Sequence, residues 1–340
     1  MMIRPPKILN VKITGTGSYL PEKVETTEDF VKKGASPEKI DYFGVSEHRV
    51  MGENETVTDM EAHAAKKAIK NAGIKPDDVD LIISGTGMPT QIVAPNSNAL
   101  QHRIGAKNAA AFDVNMACAS AIPEIMIAAQ FIELKHYQYI LLTGSSHLSR
   151  IADPTDPASF VVLGDGAGAF VMALADDKEK GILSFDIQTK GEYFNYCGAK
   201  VKRPKKYAGE RQFHDPCVEK LYFYIGDFDN PSQSIMNYLI DSVPATVQKA
   251  LEKAGMSLSD IDFLITHQNI TPLAGKWIEK LDIPPEKTHL TYSRYGNMTS
   301  ANIFVNLDEA VRMKKIKEGD IVVFAGQGAG FSVGAIVMRW

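Results

Sequence analysis

Cys118, His267 and Asn297 are the residues whose types and surroundings suit them to act together. Cys118 follows an apolar run in AFDVNMACASA (111–121), and only small residues come after it. A free cysteine is usually a small core hydrophobe. Here ASAIPEIMIAAQFIEL (119–134) reads as a helix, with Pro123 early enough to be tolerated. The thiol is therefore expected at a helix N-terminus, where the dipole and free N–H groups lower its pKa and favour thiolate. Ala117, Ala119 and Ser120 leave room for a substrate. His267 ends the strand-like DFLITHQNI (262–270), which delivers polar groups where open α/β sheets bind ligands. Asn297 lies in SRYGNMTSAN (293–302), whose Gly296-Asn297 pair signals a turn into the helix IFVNLDEAVRMKK. Alone, Asn297 reads as a turn or cap residue and His267 as a core histidine. His48, His63, His102, His136, His147, His214 and His289 sit in no such cluster and show no metal-ligand spacing.

Cysteine, histidine and asparagine in that order also occur in papain-like proteases. Those require C-G-[SA]-C-[WY] around the nucleophile, and MACAS does not match. The bulk composition agrees. Among 340 residues there are three cysteines, Cys118, Cys197 and Cys217, too few for a disulfide framework. We read a reducing, cytoplasmic compartment, with no secretory leader and no apolar run long enough to span a membrane. A net charge of −4 gives no global footprint for nucleic acid.

What would position the three residues is an internal repeat. KAIKNAGIKPDDVDLII (67–83) and KALEKAGMSLSDIDFLI (249–265) share seven identities at one offset. Each reads as a helix end, a glycine cap, a polar turn and a buried strand. A weaker echo pairs ILLTGSSH and GDGAGAFVMAL (140–174) with IVVFAGQGAGFSVGAIVMRW (321–340). GDGAGAF leads into a strand-like run, not the helix that a dinucleotide fingerprint needs. Its glycines are instead expected to let backbone approach backbone or ligand. The chain thus reads as two similar α/β halves, 1–176 with the cysteine and 177–340 with the histidine and asparagine. A long aromatic stretch, 192–232, interrupts the pattern.

AFDVNMACASA, LSRIADPTDPASFVVLGDGAGAFVM, ITHQN, YGNMTSAN and GAGFSVGAIVMRW together resemble β-ketoacyl-acyl-carrier-protein synthase III, the chain-starting ketosynthase of the thiolase superfamily. The likeness runs from KITGTGSYLPEKV to the last residue. It implies an α/β thiolase fold: five αβαβα layers from two halves related by a pseudo-twofold, assembled as a homodimer. It implies that Cys118 takes an acyl group as a thioester and that His267 and Asn297 serve the second step, decarboxylative Claisen condensation with malonyl-carrier protein. The backbone N–H groups of Cys118 and Gly330 would form the oxyanion hole, Phe331 would pack against the malonyl carboxylate, and Gln268 and Ala94 would line the substrate tunnel. Substrates would be phosphopantetheine thioesters, with no other cofactor and no metal. A thiolase would need a second cysteine near GQGAGFSVG, and none is there.

The chain departs from that family where coenzyme A is gripped. Glu38 and Tyr42 stand where a Trp and an Arg clamp adenine, Pro157 where an Arg follows DPTD, and Pro272 where a basic residue meets the carrier protein. Acyl carrier protein is therefore the expected donor, with acyl-CoA a poorer fit. Ala94 replaces a Phe that crosses the dimer, which points either to a longer or bulkier acyl group or to a neighbouring side chain filling the gap. The run KVKRPKK offers Lys200, Lys202, Arg203, Lys205 and Lys206 as carrier-protein or phosphate contacts, or as a solvated loop. Cys197 and Cys217 flank it as plain residues. The runner-up activity is a related acyltransferase making a specialised ester, ketone or cyclised product. A catalytically silent partner subunit is disfavoured by the intact Cys118, His267 and Asn297.

Overall fold

The computed structural model describes residues 9–91, 93–201, 221–225 and 233–340. In chain order the strands are β1 (Val11–Tyr19), β2 (Lys23–Thr26), β3 (Glu47–Val50), β4 (Leu81–Ser84), β5 (Ala110–Asp113), β6 (Ile140–Ser146), β7 (Gly166–Leu174), β8 (Gly181–Thr189), β9 (Cys197–Val201), β10 (Leu221–Ile225), β11 (Phe263–Thr266), β12 (Ile321–Gly328) and β13 (Ser332–Arg339). The helices are α1 (Thr27–Lys32), α2 (Pro37–Phe43), α3 (Val57–Asn71), α4 (Asn96–Ile104), α5 (Ala121–Glu133), α6 (Pro157–Val162), α7 (Gln233–Lys253), α8 (Thr271–Lys280), α9 (Tyr292–Tyr295) and α10 (Ala301–Arg312).

Two sheets carry the body, one ordered β1-β7-β6-β4-β5 and the other β11-β12-β13-β8. The first draws on residues 11–174 and the second on 181–339. Their connections correspond. β4 runs parallel to β6, which turns antiparallel into β7 and then β1. β11 runs parallel to β12, which turns antiparallel into β13 and then β8.

The sequence repeat maps onto this symmetry. α3 and α7 both end at glycines in the left-handed region, Gly73 and Gly255, each at φ +71°. Short 3₁₀ turns follow at Pro76–Asp78 and Leu258–Asp260. The last aspartate of each copy then fastens the neighbouring parallel strand. Asp80 accepts from the backbone N–H groups of Gln138 and Tyr139 at 2.7 and 3.0 Å, and Asp262 accepts from that of Ile321 at 2.9 Å. GDGAGAF enters β7, a strand, as its pattern predicts.

Apolar faces order the layers. Ala64, Ala65 and Ala68 of α3 pack with Ile82, Leu141 and Val171 on the outside of the first sheet. Val243 and Val247 of α7 and Trp277 of α8 cover the second sheet. Ile122 and Ile125 of α5 and Ile303 and Phe304 of α10 fill the space between the sheets with Ile83, Phe170, Phe324 and Ile336. The result is helix, sheet, helix, sheet, helix. In the middle layer, α5 from the first half touches β12 and β13, and α10 from the second touches β1 and β7.

One buried cluster breaks the apolar rule. Glu61 of α3 and Glu124 of α5 are both fully buried. Glu61 accepts from Ser84 Oγ, Ser145 Oγ and Asn96 Nδ2 at 3.1, 2.6 and 2.6 Å. Its burial, reinforced by Asp113, still pushes its carboxyl up to about 7. Among the described residues, neither oxygen of Glu124 has a hydrogen-bond partner of good geometry. Burial, then the neighbouring Glu61 and Asp113, hold it well above the usual carboxylate range.

Candidate active site

Cys118 stands on a 3₁₀ turn, Ala117–Ala119, between β5 and α5. The Ser120 hydroxyl closes that turn, accepting from Met116 N at 2.9 Å and donating to Ala117 O at 2.8 Å. Ala117 is held at φ +49°, a conformation that costs a non-glycine residue energy and persists only when its surroundings enforce it. Part of the enforcement comes from the second half of the molecule. A Cβ on Gly328, at the end of β12, would lie 2.1 Å from Met116 O, so only glycine lets β12 come this close beneath the nucleophile.

The thiol is not lowered as its helix-terminal position predicts. The 3₁₀ turn separates it from α5, which begins at Ala121. Its surroundings are apolar, and burial pushes the Cys118 thiol up to about 11, with the N–H groups of Ala329 and of Cys118 itself drawing it back only in part. Gly330 was expected to supply the second amide of an oxyanion hole. The second N–H reaching the sulfur belongs to Ala329, one residue before Gly330. β12 ends at Gly328, and the turn after it presents its next amide, not the one beyond, to the cysteine.

His267 follows β11, and its own N–H donates to Ala325 O at 2.9 Å. Its ring is 1% exposed. Burial presses its pKa down to about 4, with the Asn302 carboxamide and the Thr299 backbone offsetting part of this, so the imidazole is neutral near pH 7. Nδ1 of His267 and both polar atoms of Asn302 are buried without a well-aligned partner among the described residues. Asn297 is held from both sides: its N–H donates to Val162 O at 2.7 Å, and its carbonyl accepts from Gly164 N at 3.2 Å. Its Oδ1 accepts from Thr299 N at 2.9 Å, with Thr299 at φ +45° to make the bend. That bond fixes the amide, so the NH₂ end is the one left to donate.

Cys118, His267, Asn297 and Phe331 all line one cavity of about 350 Å³. Met236, Leu239 and Ile240 of α7 supply apolar wall. Its lining also takes in Tyr42 of α2 and Pro272 and Lys276 of α8. Other expected tunnel residues fall elsewhere. Gln268 is fully buried and turned away, and Ala94 is exposed on the loop before α4. Neither is among the lining residues, because Gln268 bonds into a neighbouring loop and Ala94 is exposed. Cys197, expected to be a plain residue, lines the cavity, and burial, then the nearby Cys118, pushes its thiol up. Lys200 is in β9, while Lys202, Arg203, Lys205, Lys206 and Cys217 lie outside the described residues.

Sequence reasoning missed Ala329, Asn302 and Lys276. Ala329 carries no side-chain signal. Asn302 was visible as the last residue of TSAN, and Lys276 as a cation one helical turn after Pro272. No group of histidine, cysteine or acidic side chains among the described residues could hold a metal ion. No helix among them is long and apolar enough to cross a membrane.

Residues 112–191 match the family profile of 3-oxoacyl-[acyl-carrier-protein] synthase III, and residues 251–340 match the profile of its C-terminal part. The β-ketoacyl-[acyl-carrier-protein] synthase III of Listeria monocytogenes is 35% identical over 334 residues, covering 98% of this chain and 99% of that protein. The crystal structure of 3-oxoacyl-[acyl-carrier-protein] synthase III from Aquifex aeolicus superposes with a TM-score of 0.85 at 30% identity, covering 97% of this chain and 100% of that one. The priming β-ketosynthase of the R1128 polyketide pathway shares the fold, with a TM-score of 0.86 at 23% identity over 100% and 99% of the two chains.

Proposed function

The chain belongs to the 3-oxoacyl-[acyl-carrier-protein] synthase III family, and on that footing we propose that it joins a Cys118-bound acyl group to the carbon released from malonyl-acyl carrier protein. In the first step Cys118 sulfur attacks the donor thioester. The N–H groups of Cys118 and Ala329 hold the tetrahedral oxyanion, and the departing thiol leaves with the proton that Cys118 gives up. In the second step the malonyl carboxylate leaves as CO₂, and its bonding pair becomes an enolate. His267, neutral, and the Asn297 NH₂ donate to the enolate oxygen. The carbanion attacks the Cys118 thioester, a C–C bond forms, and the sulfur is expelled. No base is required, and an apolar pocket favours conversion of a carboxylate to neutral CO₂.

The observation that carries this reading is the Asn297 amide. Thr299 N–H occupies its oxygen, so a carboxamide donor and an uncharged imidazole border the cavity that holds the cysteine. A thiol raised to about 11 is largely protonated near pH 7, so its activation belongs to the substrate-bound state.

Acyl carrier protein is the donor and extender carrier in this reading. Tyr42, at a clamp position, and Pro272, where a basic residue would meet the carrier protein, both border the cavity, and the exposed Lys276 beside them offers a cation to the phosphate of a phosphopantetheine arm. A homodimer accords with Val93, which is 93% exposed in the loop before α4. The test is intact mass of the protein after acetyl-CoA, acetyl-carrier protein and longer acyl-carrier proteins, then after malonyl-carrier protein. Acylation at Cys118 followed by a β-ketoacyl product is expected. Acylation absent with every donor, or lodged on Cys197, refutes it.

A further inference from the structure

Gln268 adjoins His267 yet points away from the cavity, and its side chain is fully buried. Its Nε2 donates to His289 O at 2.7 Å, and its Oε1 accepts from Thr291 N at 2.9 Å and Tyr292 N at 3.0 Å. The segment it grips leads directly into α9 and then Gly296-Asn297. A second strut runs parallel. Asn306 of α10 donates to Thr266 O at 3.0 Å and accepts from Thr291 Oγ at 2.6 Å. The residues on both sides of His267 are therefore tied to the one loop that delivers Asn297. Cys118 rests on different elements, the turn between β5 and α5.

We propose that Gln268, seconded by Asn306, is a positioning residue that sets His267 and Asn297 on a common focus for the enolate and has no part in acylating Cys118. Two donors on elements 30 residues apart must converge on one oxygen, and small errors in such geometry cost about 100-fold in rate. This rests on the functional reading above.

The experiment separates the half-reactions in Gln268→Leu and Gln268→Glu. Acylation is followed by the mass of the protein, condensation by CO₂ release and product from malonyl-carrier protein. In Gln268→Leu, acylation stays within about twofold, while condensation kcat falls about 100-fold with KM for malonyl-carrier protein little changed. Gln268→Glu carries the test if the leucine variant does not fold. A protonated glutamate can accept from both N–H groups and donate to His289 O, whereas an ionised one repels that carbonyl. Its condensation rate relative to wild type therefore recovers as pH is lowered from 8 to 6. Condensation equal to wild type in the leucine variant, acylation falling in step with condensation, or no recovery of the glutamate variant overturns the proposal. Wild-type protein that acylates but releases no CO₂ overturns the functional reading instead.

Discussion

Replacing Glu61 by glutamine tests the buried acid pair quantitatively. The carboxyl stands at about 7 in the fold against 4.5 in the free chain. An acid raised by folding binds more protons folded than unfolded between those values, so stability falls as pH rises through them. The window is pH 4.5 to about 7, and a shift of this size corresponds to about 3 kcal/mol. His147 and His267, both pressed down to about 4 by burial, push the other way over part of the same range. They cancel when the variant is compared with wild type at each pH. Glu124, raised first by its own burial and next by Glu61, loses that second contribution in the variant, so its response is part of the measured difference. The glutamine keeps an acceptor for Ser84 and Ser145 and loses a favourable contact to Asn96, a constant offset. The assay is urea denaturation of both proteins at half-unit steps from pH 4 to 8. Stability of Glu61→Gln minus that of wild type should climb by about 3 kcal/mol from the acid end to the neutral end. A flat difference, or one that declines with pH, would refute the assignment of a desolvated, ionising Glu61.

Three further outcomes follow from the site. Asn297→Ala and His267→Ala should each lower condensation about 100- to 1,000-fold by removing one enolate donor, with Cys118 acylation measured by mass left near wild type. Alkylation of Cys118 by iodoacetamide in a Cys197→Ser background should accelerate about tenfold per pH unit from 7 to 9, as a thiol near 11 requires; a plateau near pH 7 would contradict its burial. Lys276→Gln should raise KM for acyl-carrier protein several-fold at low salt and have little effect at high salt. It should leave an acyl-pantetheine lacking phosphate unaffected, and equal effects on both substrates would exclude the phosphate contact.

The repeat around Gly73 and Gly255 and the strand reading of GDGAGAF were legible because spacing and glycine position report backbone geometry directly. Cys118, His267 and Asn297 were legible because their chemistry is side-chain chemistry. That Ala329, and not Gly330, turns its N–H to the Cys118 sulfur was not legible, because a backbone N–H has no residue type to read. The thiol was misjudged for a related reason. Helix position is local, whereas desolvation comes from elements far off in the chain. Gln268 was expected in the tunnel beside His267, but its carboxamide is taken up by the backbone of His289, Thr291 and Tyr292, partners that only the fold brings near.

β8 pairs with β13, Gly181 against Arg339 and Thr189 against Ser332, in the same sheet as β11 and β12. About 140 residues must therefore leave the ribosome after β8 before its hydrogen-bonding edge is filled by that strand. Until then β8 lacks the partner strand that it has in the fold. Strand pairing between segments so far apart in sequence carries a large loop-closure cost and leaves an open strand edge until it is made.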